Sequence, residues 1–222
     1  MKSLCYSTKE ELIEVCYNAL NNNYNEDKVK EIKESIESEF SDNIYDNKFF
    51  KYLPMREIRK GLMKDLDVSQ YAKPEYSLEQ MEQIKLGLLD GVDISWYADS
   101  NFDETQMEQI RYGLKKGLDV SKYASPEFNY WQMQEIRKGL ENNLDISKYA
   151  DRKYNWWQMK EIRLGLEQNL DVSIYANENF DENQMEQIRY GLENGLDITK
   201  YADIEFNWYQ MQEIRLEMEK NK

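Results

Sequence analysis

The residues of this chain best suited to chemistry recur at one fixed interval. Aspartate stands at Asp67, Asp93, Asp119, Asp145, Asp171 and Asp197, and a basic residue at Arg59, Lys85, Arg111, Arg137, Arg163, Arg189 and Arg215, each step being 26 residues. A column of aspartates invites a metal-binding reading. Calcium, however, takes oxygen ligands at about 2.3–2.6 Å, and carboxylates one repeat apart cannot share an ion at that range. Each aspartate is followed two residues later by Ser or Thr, the arrangement of an Asx-type cap on a short turn, so capping is the expected role and no metal is expected. The basic column could read phosphates or carboxylates on a partner. Arg137, Arg163 and Arg189 also have glutamate four residues on, at Glu141, Glu167 and Glu193, which supports internal pairing along a helix and bridging between repeats. Both readings stand at this level, and Arg137 and Arg163 are carried forward as candidate partner contacts.

Catalysis has little to draw on. The chain contains no histidine, which removes the usual general base, the usual activator of a Ser or Cys nucleophile, and the commonest zinc ligand. The carboxylates that remain fall on regularly repeated helix faces, and no nucleophile can be matched with a base. The expectation is a non-enzymatic protein with no cofactor and no catalytic residues.

Aromatic pairs are the third chemical feature: Tyr130-Trp131, Trp156-Trp157 and Trp208-Tyr209. The same two positions in other repeats hold Leu78-Glu79, Glu104-Thr105 and Glu182-Asn183, so the scaffold does not demand rings there. One ring of each pair is expected to pack on a preceding turn aromatic such as Phe128 or Tyr154, as a hydrophobic staple does. Neighbouring helical positions lie about 100° apart, so the second ring should be exposed and available to anchor a partner. These six residues, with Arg137 and Arg163, are the candidate partner-binding site.

The elements that position these side chains are written in the same repeat. Methionine at 55, 81, 107, 133, 159, 185 and 211 is followed three residues on by isoleucine and seven on by leucine, or by Met218 in the last copy. That spacing is one face of an α-helix whose apolar stripe must be buried by its neighbours. Ser77, Asp103, Asn129, Asn155, Asp181 and Asn207 each precede a glutamine by three residues, the signature of a capping box. Asp65, Gly91, Gly117, Asn143, Asn169 and Gly195 stand where the helix should end in a left-handed residue. Inside each helix a glycine (Gly61, Gly87, Gly113, Gly139, Gly165, Gly191) costs about 1 kcal/mol of helix propensity. Close approach of the next helix is the expected compensation, and Glu217 replaces glycine in the last helix. The predicted fold is an all-α solenoid of 26-residue repeats, each a long helix plus a short helix or 3₁₀ turn. Residues 1–50 are expected to hold a capping helix and a degenerate repeat, residues 51–206 six repeats, and residues 207–222 a C-terminal capping helix.

Bulk properties narrow the partner. With 43 acidic against 29 basic residues the net charge is −14, which repels nucleic acid phosphates, so direct nucleic acid binding is not expected. No apolar run approaches a membrane span or a signal h-region. The two cysteines, Cys5 and Cys16, form no disulfide or metal pattern and fit a reducing compartment, so a cytoplasmic protein is expected. The words QMEQIRYGL and GLDVSKYA resemble short helical repeats of proteins encoded by bacteria, their phages and mobile elements, over about residues 51–222. That resemblance implies a repeat fold and an origin in bacterial genetic conflict, and it brings no activity with it.

Similarity at a distance of 78 residues, between DETQMEQIRYGL at 103 and DENQMEQIRYGL at 181 and between NYWQMQEIRKGL at 129 and NWYQMQEIRLEM at 207, indicates a three-repeat duplication. It also spaces the aromatic pairs to suit an extended or multivalent partner. The leading functional expectation is an acidic repeat scaffold presenting Tyr and Trp patches to another protein. The alternatives are a counter-defence inhibitor that imitates nucleic acid to occupy a nucleic-acid-binding defence complex, and a nucleotide sponge.

Overall fold

In the computed structural model of the protein the described residues are 57, 58, 60, 61, 64–73 and 75–222. The expected capping helix and degenerate repeat of residues 1–50, with both cysteines, lie outside them, as do Met55, Arg59 and Leu62. The described residues are all-helical. Six long helices, α1 (Leu78–Asp90), α2 (Glu104–Lys115), α3 (Tyr130–Glu141), α4 (Trp156–Glu167), α5 (Glu182–Glu193) and α6 (Trp208–Lys220), alternate with three-residue 3₁₀ turns such as Val120–Lys122 and Ile146–Lys148. This is the predicted repeat. The chain forms two compact units, Met1–Arg111 and Tyr112–Lys222. Within the second, α3, α4, α5 and α6 pack in sequence, each on the next.

The helix boundaries follow from the capping chemistry. Ser77, Asn129, Asn155, Asp181 and Asn207 each close a full capping box, with the side chain accepting from the N3 amide and the N3 glutamine accepting from the cap amide. Asp103 and Gln106 exchange the same pair of bonds at 2.8 Å each. After each of α1 to α5 the chain enters the left-handed region, at Gly91, Gly117, Asn143, Asn169 and Gly195, as it does at Asp65. Asp93, Asp119, Asp145, Asp171 and Asp197 then cap the 3₁₀ turns by accepting the amide of the Ser or Thr two residues on.

The core runs along the repeat columns. Met107, Met133, Met159, Met185 and Met211, with Ile110, Ile136, Ile162 and Ile188, are fully buried. The leucine column is only half-buried. The largest buried side chains are six tyrosines, Tyr71, Tyr97, Tyr123, Tyr149, Tyr175 and Tyr201, each directly after a 3₁₀ turn. Burying a side chain of that size stabilises the fold by about 2 kcal/mol, provided that its hydroxyl finds a partner. It does: Tyr71, Tyr149, Tyr175 and Tyr201 donate at 3.1–3.2 Å to the carbonyls of Glu57, Glu135, Glu161 and Gln187 in the long helix of their own repeat.

This tyrosine explains the helix glycine and corrects the sequence expectation. A Cβ built on Gly139 would overlap the Tyr149 hydroxyl and come within 2.9 Å of Ile146 Cγ2, and the same collision recurs at Gly61, Gly87, Gly113, Gly165 and Gly191. The glycine therefore makes room for the tyrosine ten residues later in its own repeat, not for the next helix.

Candidate functional site

Within the second unit α3, α4, α5 and α6 pack each on the next, and the aromatic pairs occupy the first two positions of α3, α4 and α6. One ring of each of the first two pairs, Tyr130 and Trp156, is half-buried. The other is exposed: Trp131 at 48% and Trp157 at 43%, while both Trp208 (42%) and Tyr209 (53%) are open.

The first four rings form a continuous row. Tyr130 meets Trp131 edge-on at 4.8 Å between centroids, Trp131 stacks on Trp156 of the next repeat at 5.3 Å, and Trp156 stacks on Trp157 at 3.7 Å. Aromatic pairs of this kind are worth about 0.5–1.5 kcal/mol beyond area burial. Phe128 and Tyr154 are buried as core aromatics, and Trp156 is stacked between the two neighbouring indoles. Lys160 Nζ lies 5.0 Å over the Trp157 ring. Trp208 and Tyr209 make a separate edge-on pair at 6.0 Å.

The two arginines expected beside these rings take up other positions. Arg163 is buried; its Nε donates to Glu135 in the preceding repeat at 2.7 Å and its Nη1 to Glu167 one turn on at 2.6 Å. Burial works against its charge, and the Glu135 carboxylate more than offsets that, holding the guanidinium pKa above its ordinary value. Arg189 repeats the pattern with Glu161 and Glu193, and Arg215 donates to Gln187 and Glu219. Lys85 reaches Glu57 and Arg111 reaches Gln83 in the same way. Arg137, half-buried, pairs with Glu141 and lies 6.0 Å from the Tyr112 ring. The column is thus a spine of bonds from one repeat back to its predecessor. Its acceptors, Glu or Gln two residues after each methionine, were not singled out by sequence reading, although their fixed distance of 28 residues from the basic column was available as a signal.

A second bridge was also missed. The capping-box glutamine has an amide to spare: Gln80, Gln132, Gln158 and Gln184 donate from Nε2 to the carbonyls of Phe102, Tyr154, Phe180 and Phe206 at 2.6–2.8 Å. Glutamate would close the box equally well, so the restriction to glutamine was the legible clue.

The aspartate column behaves as caps, and among the described residues no group of His, Cys, Asp or Glu is arranged to hold a metal ion. No described helix is long and apolar enough to cross a membrane. No protein-family model, curated protein or solved structure matches the chain.

Proposed function

We propose that this protein is a non-enzymatic binding scaffold whose first-turn aromatic row, Tyr130, Trp131, Trp156 and Trp157, with Trp208 and Tyr209 two repeats further on, anchors a protein partner. The observation that carries this reading is the exposure of Trp131 and Trp157 at positions where other repeats fold with Thr105, Glu79 or Asn183. Tryptophan and tyrosine dominate the energetics of protein interfaces, and exposed indoles at positions where other repeats carry polar residues are otherwise a solubility liability. Affinity capture compares the wild-type chain with the Trp131→Ala/Trp157→Ala variant. Loss of a specific wild-type partner from the variant supports the reading, and recovery of the same partner at the same level contradicts it.

The net charge of −14 favours a second reading, a counter-defence inhibitor that occupies a basic nucleic-acid channel by mimicry. Its binding weakens steeply with salt and survives loss of the two indoles.

A further inference from the structure

We infer that the first-turn face of α3 to α6 takes a basic protein segment, one in which Arg or Lys residues alternate with apolar anchors; the inference rests on the protein-binding reading above and specifies the partner. Along this face the repeats run aromatic, aromatic, acidic, aromatic: Trp131, then Trp157, then Glu182 with Glu186 a turn below, then Trp208 and Tyr209. Glu182 accepts from the Asn155 amide at 3.3 Å, and Glu186 accepts from Gln187 and the Tyr190 hydroxyl. Neither makes an ion pair among the described residues. Arg152 pairs with Glu127, Lys153 pairs with Glu178, and Lys160 lies over Trp157. Two carboxylates without counter-ions therefore lie between exposed rings, on a chain of net charge −14.

The stacking of the row decides what can dock. Trp156 is enclosed between Trp131 and Trp157, Lys160 covers the Trp157 ring, and Tyr130 lies edge-on to Trp131. An oligonucleotide needs open ring faces and brings phosphates that the net charge of −14 repels. The aliphatic stems of Arg and Lys pack on exposed ring surface while their heads reach a carboxylate. Elsewhere the chain sets guanidinium groups over a ring, with Arg189 and Arg215 at 4.5 and 5.4 Å from the Tyr190 centroid.

The test is titration of the intrinsic tryptophan fluorescence of the full chain with three probes: a tryptophan-free peptide of repeating Arg-Leu-Leu-Arg steps, the same peptide with Glu for Arg, and oligothymidylate. Saturable binding of the basic peptide alone is expected. Glu182→Gln/Glu186→Gln should weaken it roughly tenfold with helical circular dichroism unchanged, and Trp131→Ala/Trp157→Ala, followed through a fluorescent label on the peptide, should weaken it at least as much. Equal or tighter binding of the acidic peptide or the oligonucleotide overturns the inference. So does basic-peptide binding indifferent to the glutamates, or to the indoles, since that is general attraction to an acidic surface. If the captured protein partner is still lost from the indole variant while the basic peptide fails, the basic-segment inference falls and the binding reading survives.

Discussion

At the scale of single residues, the glycine and the glutamine of the repeat carry more than their local propensities suggest. Gly139→Ala gains about 1 kcal/mol of helix propensity, but its methyl group collides with the Tyr149 hydroxyl and Ile146. Overpacking of a tight core costs about 1–3 kcal/mol, and displacing the hydroxyl from the Glu135 carbonyl adds about 1 kcal/mol. Urea unfolding should show the variant destabilised by about 2 kcal/mol, with Tyr149→Phe in the same background recovering part of the loss. A stabilised Gly139→Ala would refute the assignment. Gln158→Glu separates two roles in the same way. Its carboxylate can still accept the Asn155 amide, but it loses the Nε2 donor to the Phe180 carbonyl and sets an acceptor against an acceptor. A cost of about 1–3 kcal/mol is expected from the same measurement.

At the scale of elements, the 3₁₀ turns are pH-sensitive through their caps. The carboxyls of Asp93, Asp119, Asp145, Asp171 and Asp197 are held below their ordinary value, first by the side-chain hydroxyl of the Ser or Thr they cap and also by its amide. A pKa depressed in the folded state means that the unfolded chain binds protons first as pH falls. The stabilisation is therefore complete above the unfolded value near 3.8 and is lost as pH falls through the lower folded values. Asparagine at these five positions should flatten the acid limb of the denaturation midpoint, which is measured from about pH 5 to about pH 2. Most of this level was legible in sequence, because caps are local: Asn155 with Gln158, the left-handed Asn143 and the Asp145–Ser147 turn each involve residues within a few positions. The glycine contact was not. Gly139 and Tyr149 are ten residues apart on different elements, and propensity shows only that glycine must be compensated, not by what. The acceptors of the arginine spine and the Trp131–Trp156 stack were missed for the same reason, since they depend on how one helix is set against its neighbour.

At the scale of the whole molecule, the buried tyrosines tie each long helix to the turn that follows it. Burial pushes the phenols of Tyr97, Tyr123, Tyr149 and Tyr175 well above their ordinary value and that of Tyr201 to about 12. A raised folded pKa gives stability that is intact below the unfolded value near 10 and is lost as pH rises through the folded values. Alkaline titration should therefore show exposed tyrosines ionising first with helical circular dichroism intact. A second rise in tyrosinate absorbance should then coincide with loss of helix, and a single smooth titration with helix retained would contradict the packing account.

If the aromatic row serves binding rather than folding, it is separable from the regular scaffold that displays it. The measurement that tests it most directly pairs urea unfolding with partner affinity for Trp131→Ala/Trp157→Ala. Removing two half-exposed indoles gives up stacking worth about 0.5–1.5 kcal/mol per ring pair, whereas losing interface anchors costs about 2 kcal/mol or more of binding each. A small shift in unfolding midpoint is expected together with a loss of affinity exceeding roughly a hundredfold. Unchanged affinity, or unfolding of the chain by the two substitutions, would contradict it.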